Sequence, residues 1–275
     1  MRKELGIAML IPGLGLAASA FGGSVLELET TEYHDEPPVA GTIEISLQDG
    51  ASRMEITTVD SDESGGVIFR GAPKEMIALD HEQKEYYVMD EASMQNMATQ
   101  LSSAMQQMQQ ALEEMPPEQR AMAEQMMKQH MPEAATAAKS PTTLHKTGKD
   151  DSINGFDCEY YEVRREASKI RELCVTEWDD ITGGREVADA MLEMAGFFDS
   201  VAEAVADSFG TDIMGEQQEI FAHMRELDGY PVLTREFDEA GEVESETVLK
   251  SAKSRNIDPQ FFDPPADYKE MQLGM

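Results

Sequence analysis

Positive charge is what this sequence most conspicuously lacks. Twenty-two lysines and arginines stand against 54 aspartates and glutamates in 275 residues, a formal net charge of −32. Nucleic-acid affinity comes mainly from Lys and Arg neutralising phosphates, and docking on anionic lipid needs the same charges. Both partner classes are therefore excluded. The acid surplus makes the surface soluble and self-repelling, and it suits a salty habitat where screening weakens the repulsion. Long apolar runs are missing as well. After the first twenty residues none approaches the roughly 20 residues a membrane-spanning helix needs, so stable membrane insertion is not expected.

Catalytic signatures are also missing. There is no G-x-S-x-G, no P-loop and no dinucleotide fingerprint. The five histidines, His34, His81, His130, His145 and His223, form no H-E-x-x-H pair. With so many acids, two carboxylates close together carry no information. Asp60-x-Asp62-x-Ser64-Gly65 resembles the start of a calcium loop, but its twelfth position is Gly71 where a bidentate Glu is needed. It reads as a solvated hairpin tip. These absences argue against an enzyme, and no cofactor is expected.

What is present begins with a leader. Met1-Arg2-Lys3 precedes an apolar run from Leu5 to about Ala18, and Ala18-Ser19-Ala20 has the small-x-small form of a cleavage site. Residues 1–20 read as a secretory signal peptide and 21–275 as a single mature domain, exported and periplasmic. Cysteine is scarce, with only Cys158 and Cys174. In an oxidising compartment the pair is expected as a disulfide. Strands over 158–165 and 170–177 around a turn near Glu166 would set the two opposite each other. Closing a loop of this size stabilises by roughly 3 kcal/mol.

Residues 24–90 alternate in short strands separated by turns such as Gln48-Asp49-Gly50, a meander closing into a barrel or curved sheet. The composition then changes. Met94, Met97, Leu101, Ala104, Met108, Ala111 and Met115 step by three or four, the spacing of an amphipathic helix ended by Pro116-Pro117. Residues 91–140 read as a Met-rich helical hairpin inserted between strands. The β pattern resumes near Thr142. Helices follow over about 185–208 and 213–227, then strands over 230–237 and 243–251. A turn anchored by Phe261 and Phe262 closes the chain.

Four pieces resemble a known group. They are Lys74–Asp80 leading to Lys84-Glu85-Tyr86-Tyr87-Val88, Asn154–Val163 around Cys158, Gly229-Tyr230-Pro231-Val232, and Phe262-Asp263-Pro264-Pro265-Ala266-Asp267-Tyr268. Together they look like an uncharacterised family of exported bacterial proteins, similar in turn to the LolA/LolB-type lipoprotein carriers. The resemblance covers most of residues 24–270. It implies an α+β fold, an incomplete and strongly curved antiparallel β-barrel closed by helices, with acyl chains held between sheet and helices. The carriers hold their lid with an arginine on the sheet. Arg53 and Arg70 lie on candidate strands, but neither matches by motif. The Met-rich hairpin is absent from the carriers proper.

On that fold the expected ligand-binding residues are Tyr86, Val88, Tyr161, Val163, Met194 and Phe198. Alternation puts Tyr161, Val163, Leu173 and Val175 on one strand face and both cysteines on the other, leaving the disulfide a purely stabilising role. The leading expectation is a non-enzymatic carrier for a lipid, another hydrophobic small molecule or an acylated partner. Two alternatives stand beside it. Thioethers are soft ligands, and Met94-x-x-Met97, Met105-x-x-Met108 and Met127-x-x-His130 could sequester Cu(I) or Ag(I). The acidic surface could instead serve a structural or assembly role against a basic protein.

Overall fold

Two tight turns set the register of the sheet. Asp49-Gly50 joins β2 (Val39–Gln48) to β3 (Ala51–Thr58), with φ of 53° and 75°. Asn154-Gly155 joins β7 (Thr142–Ile153) to β8 (Phe156–Arg165), with φ of 51° and 89°. Two successive positive φ values make the hairpin turn whose twist matches the flanking strands, and Asn or Asp followed by Gly adopts it with least strain. Asn154 also donates its side-chain amide to the Leu249 carbonyl at 2.8 Å.

The structure is a computed structural model and describes residues 22–34, 37–58, 64–114, 116, 140–209 and 215–272. The expected signal peptide, the acidic tip at 59–63 and the second arm of the Met-rich hairpin fall outside these residues. The remaining strands are β1 (Gly23–Glu32), β4 (Ser64–Arg70), β5 (Glu75–Asp80), β6 (Glu85–Asp90), β9 (Ser168–Thr176), β10 (Tyr230–Phe237), β11 (Val243–Arg255) and β12 (Lys269–Met271). The helices are α1 (Glu91–Glu114), α2 (Gly184–Phe209) and α3 (Gly215–Glu226). A 3-10 turn, Pro259–Phe262, lies between β11 and β12.

The twelve strands among the described residues form one curved, unclosed sheet in the order β12-β6-β5-β4-β3-β2-β1-β11-β10-β9-β8-β7. Two meanders, β1–β6 and β7–β11, are stitched together where β1 pairs with β11. One pair corrects the expected all-antiparallel sheet: β12 runs parallel to β6. Three residues without alternation leave no strand signal in a sequence. β12 forms because the chain before it is already fastened to the sheet.

β1 lies mid-sheet and is buried on both faces, which explains its run of apolar neighbours. Leu26 and Leu28 join the main core with Leu47, Val232 and Leu249, under Val187 and Ala190 of α2. Val25 points the other way, into a second cluster with Ile68, Ile77 and Leu79. The loop before α2 approaches β1 closely: a Cβ on Gly183 would collide with the Ser24 side chain. Ser24 in turn donates to Glu186 Oε2 at 3.0 Å and fixes the start of α2.

Cys158 and Cys174 are bonded, with Cα atoms 5.3 Å apart. Two details differ from expectation. The turn falls at Glu166-Ala167, with Arg165 facing Ser168, and a register shift between Val163 and Arg164 adds one residue more, so Tyr160, not Cys158, lies opposite Cys174. The strand parity is as expected, but the disulfide's face is itself apolar: both cysteines belong to the main core.

Candidate functional site at the helix–sheet seam

A row of register partners crosses the first meander. Leu47, Ser52, Phe69, Met76 and Met89 follow one another from β2 to β6. At its β4–β6 end this row meets the helices. Phe69 and Phe197 are buried with ring centroids 5.9 Å apart, edge to face, and Phe198 stands 5.7 Å from Phe197. Around them pack Met76, Met89, Met94 and Met194, each half-buried.

Local chemistry fixes where the helices start. The Asp90 carboxylate accepts from the Ser93 backbone N–H at 2.7 Å, and Ser93 Oγ accepts from the Asp90 N–H at 2.9 Å. This reciprocal cap begins α1 directly after β6 and holds Met94 above Met89. The Ser93 hydrogen bonds, backbone first, keep the Asp90 carboxyl below the ordinary range.

The six expected ligand residues are divided among three clusters. Met194 and Phe198 are in the Met/Phe seam. Tyr86 and Val88 lie on the opposite face of the sheet, beside Ile68, Ile77 and Leu79. Tyr161 and Val163 lie with Leu173, Val175 and Leu227 under the end of α3.

The Tyr86 cluster is covered by the chain's own C-terminal segment. Gln48 accepts from the Ile257 N–H at 2.9 Å. Arg53 donates to the Phe261 carbonyl at 2.8 Å, its guanidinium 4.7 Å from the Phe261 ring centre. Arg70 donates from Nε and Nη2 to the Phe262 carbonyl, and also pairs with Glu75 and Asp263. His81 contacts Tyr268 Oη at 2.7 Å through Nδ1 and Glu55 at 2.6 Å through Nε2. Lys84 pairs with Asp267 at 2.7 Å and holds that carboxyl below its usual range. Arg53 and Arg70, candidates in the sequence without a partner, thus both grip a segment roughly 200 residues away. The sequence placed both on strands, and no local signal named what they would meet.

The open cavities have a different character. One of about 630 Å³ lies among Asp150, Asp157, Glu159, Asp180 and Asp228, with Lys146 the sole basic residue among its described lining. Its negative lining attracts cations and disfavours an acyl chain. No described helix is long and apolar enough to cross a membrane.

The family model described as Domain of unknown function (DUF4412) matches residues 89–268. The chain belongs to that family. The match starts at Met89 in the seam and ends at Tyr268 in the C-terminal segment. Solved structures similar to the chain include an uncharacterized conserved protein from Thermus thermophilus, with 9% identity, 92% of this chain and 91% of that one covered, and a TM-score of 0.45. The Pseudomonas aeruginosa MucA/MucB complex shows 7% identity, 90% and 57% coverage and a TM-score of 0.36, so the match spans little more than half of that chain. A Vibrio parahaemolyticus domain described as outer membrane lipoprotein-sorting shows 8% identity, 89% and 91% coverage and a TM-score of 0.21. No curated protein matches the chain.

Proposed function

We propose that the chain is an exported, non-enzymatic binding or carrier protein for an apolar ligand, a lipid or an acylated partner, taken up between α1, α2 and strands β4–β6. The observation that carries this reading is the Met/Phe seam. Three phenylalanines and four methionines meet there, and five of the seven remain half-buried. Methionine side chains are unbranched and adapt to guests of variable shape. The seam is filled by its own side chains, so entry requires the helices to part. Burying acyl surface at about 25 cal/mol per Å² would offset that opening, with little polar recognition.

Of the six expected contacts, Met194 and Phe198 face such a guest directly. Tyr86 and Val88 would join only after the C-terminal segment lifts, and Val163 only after the end of α3 moves; Tyr161 lines the acidic cavity instead. Export would follow cleavage after Ala20, leaving a mature domain from residue 21 with residues 91–140 as an insertion.

The test is native mass spectrometry of the secreted full-length product, followed by solvent extraction. The expected protein mass starts at Phe21 and carries an extractable lipid, which Met194→Glu/Phe198→Asp abolishes while near-UV circular dichroism is kept. A clean protein mass that also fails to bind a fluorescent fatty acid would overturn the reading.

A further inference from the structure

We propose that Met76, Met89, Met94 and Met194 form a thioether site for a soft monovalent cation of the Cu(I) or Ag(I) class. Sequence spacing pairs Met94 with Met97, Met105 with Met108 and Met127 with His130. The fold brings together a different set, drawn from both sheet and helices. Met76 and Met89 are direct cross-strand partners. Met94 follows on the first turn of α1, held by the Asp90–Ser93 cap. Met194 comes in from α2, and all four pack around Phe69 and Phe197.

Packing alone does not call for this concentration. Leucine or isoleucine would fill the space, and the other three clusters are built that way. Met191, at the margin of the main core, is their single methionine among the described residues.

The donor chemistry selects the ion. Thioethers are neutral and soft, and they favour Cu(I) or Ag(I) over zinc or calcium, which take imidazole, thiolate and carboxylate. Among the described residues no three His, Cys, Asp or Glu side chains converge on a common metal position, and both cysteines are tied in the disulfide. Each of the four methionines is half-buried, so an ion can arrive from solution, while the phenylalanine floor is dry. Aromatic faces attract a cation that has lost its water. The net charge of −32 raises the local cation concentration.

The experiment adds silver nitrate to the full-length secreted protein in chloride-free buffer, read by native mass spectrometry and calorimetry. One tightly bound Ag(I) per chain is expected. Met→Leu at 76, 89, 94 and 194 together should weaken it at least a hundredfold, and Leu nearly conserves the volume. Met→Leu at 105, 108, 126 and 127 together should leave it unchanged. Two results overturn the proposal: no silver bound by the wild type, or a loss that follows the second set instead of the first. If the first variant does not fold, methyl-labelled methionine spectra of the wild type decide. The four seam methyl resonances must move on silver addition, and unmoved resonances reject the site. Fatty-acid binding by the wild type is measured separately without silver: fatty acid bound but no silver rejects only this site, and silver bound but no fatty acid rejects only the carrier reading.

Discussion

Arg70 and Phe262 are joined across the sheet: the guanidinium on β4 donates to the Phe262 carbonyl from Nε at 3.1 Å and from Nη2 at 2.8 Å. Hydrogen bonds from a charged donor contribute about 1.5–3 kcal/mol each when a partner is removed, and the two here share one acceptor. Arg70→Met should therefore cost about 2–3 kcal/mol in urea unfolding. It should also make the chain after Ile257 a preferred site of limited proteolysis. Wild-type cleavage kinetics in the variant would show that the C-terminal segment is held by its apolar contacts alone.

Asp90 ties the stability of α1 to pH. Its carboxyl is ordinarily half-protonated near pH 3.8 and sits lower in the folded protein, because the Ser93 hydrogen bonds favour the charged form. A depressed folded value contributes stability that is fully present above pH 3.8 and is lost as pH falls through the folded value. Asp90→Ala should cost about 1 kcal/mol at pH 7. The gap between variant and wild type should close as the pH falls below about 3.8, measured by urea unfolding across the range. A gap independent of pH would assign the loss to the Ser93 hydrogen bond itself, which a neutral carboxyl still accepts, and not to the charge.

The disulfide lies inside the main core, with Cys174 wholly buried and Cys158 6% exposed. Cys158 also lines the acidic cavity of about 630 Å³, whose negative charge repels thiolate reductants. Dithiothreitol with a maleimide reporter should label neither thiol under native conditions and both in urea. Cys158→Ala/Cys174→Ala should lower unfolding stability by roughly 3 kcal/mol, the value for a loop of this length. Rapid native-state labelling would place the bond at a mobile edge instead of in the core.

Sequence reasoning recovered what depends on near neighbours. The hairpin at Asp49-Gly50 followed from turn chemistry, and the strand read over 230–237 is β10. The face parity of Tyr161 and Val163 against the cysteines also followed from alternation. What it missed is non-local. A bulge after Val163 moved the cysteine register. The six proposed contacts were gathered on a single apolar surface, whereas the sheet has two apolar faces and the six fall in three clusters. Phe69, Met76 and Met89 were individually visible as strand residues. Only the cross-strand register revealed that they form a row beneath Met94 and Met194.

The last consequence concerns the sheet edge. β6 would be exposed along one side were it not for β12, whose Lys269 N–H donates to the Lys84 carbonyl at 2.9 Å. An uncovered edge presents unpaired backbone groups that recruit another chain. Lys269→Pro removes that donor and weakens β12, while the Lys84–Asp267 pair and the Arg53 and Arg70 contacts upstream remain. The variant should stay folded and show concentration-dependent self-association by light scattering at low micromolar protein, where wild type is monodisperse. High salt should strengthen the association, because screening relieves the repulsion between two strongly acidic chains. Unchanged monodispersity at every salt concentration would mean that charge alone keeps the β6 edge unpaired and that β12 serves only to anchor the C-terminal segment.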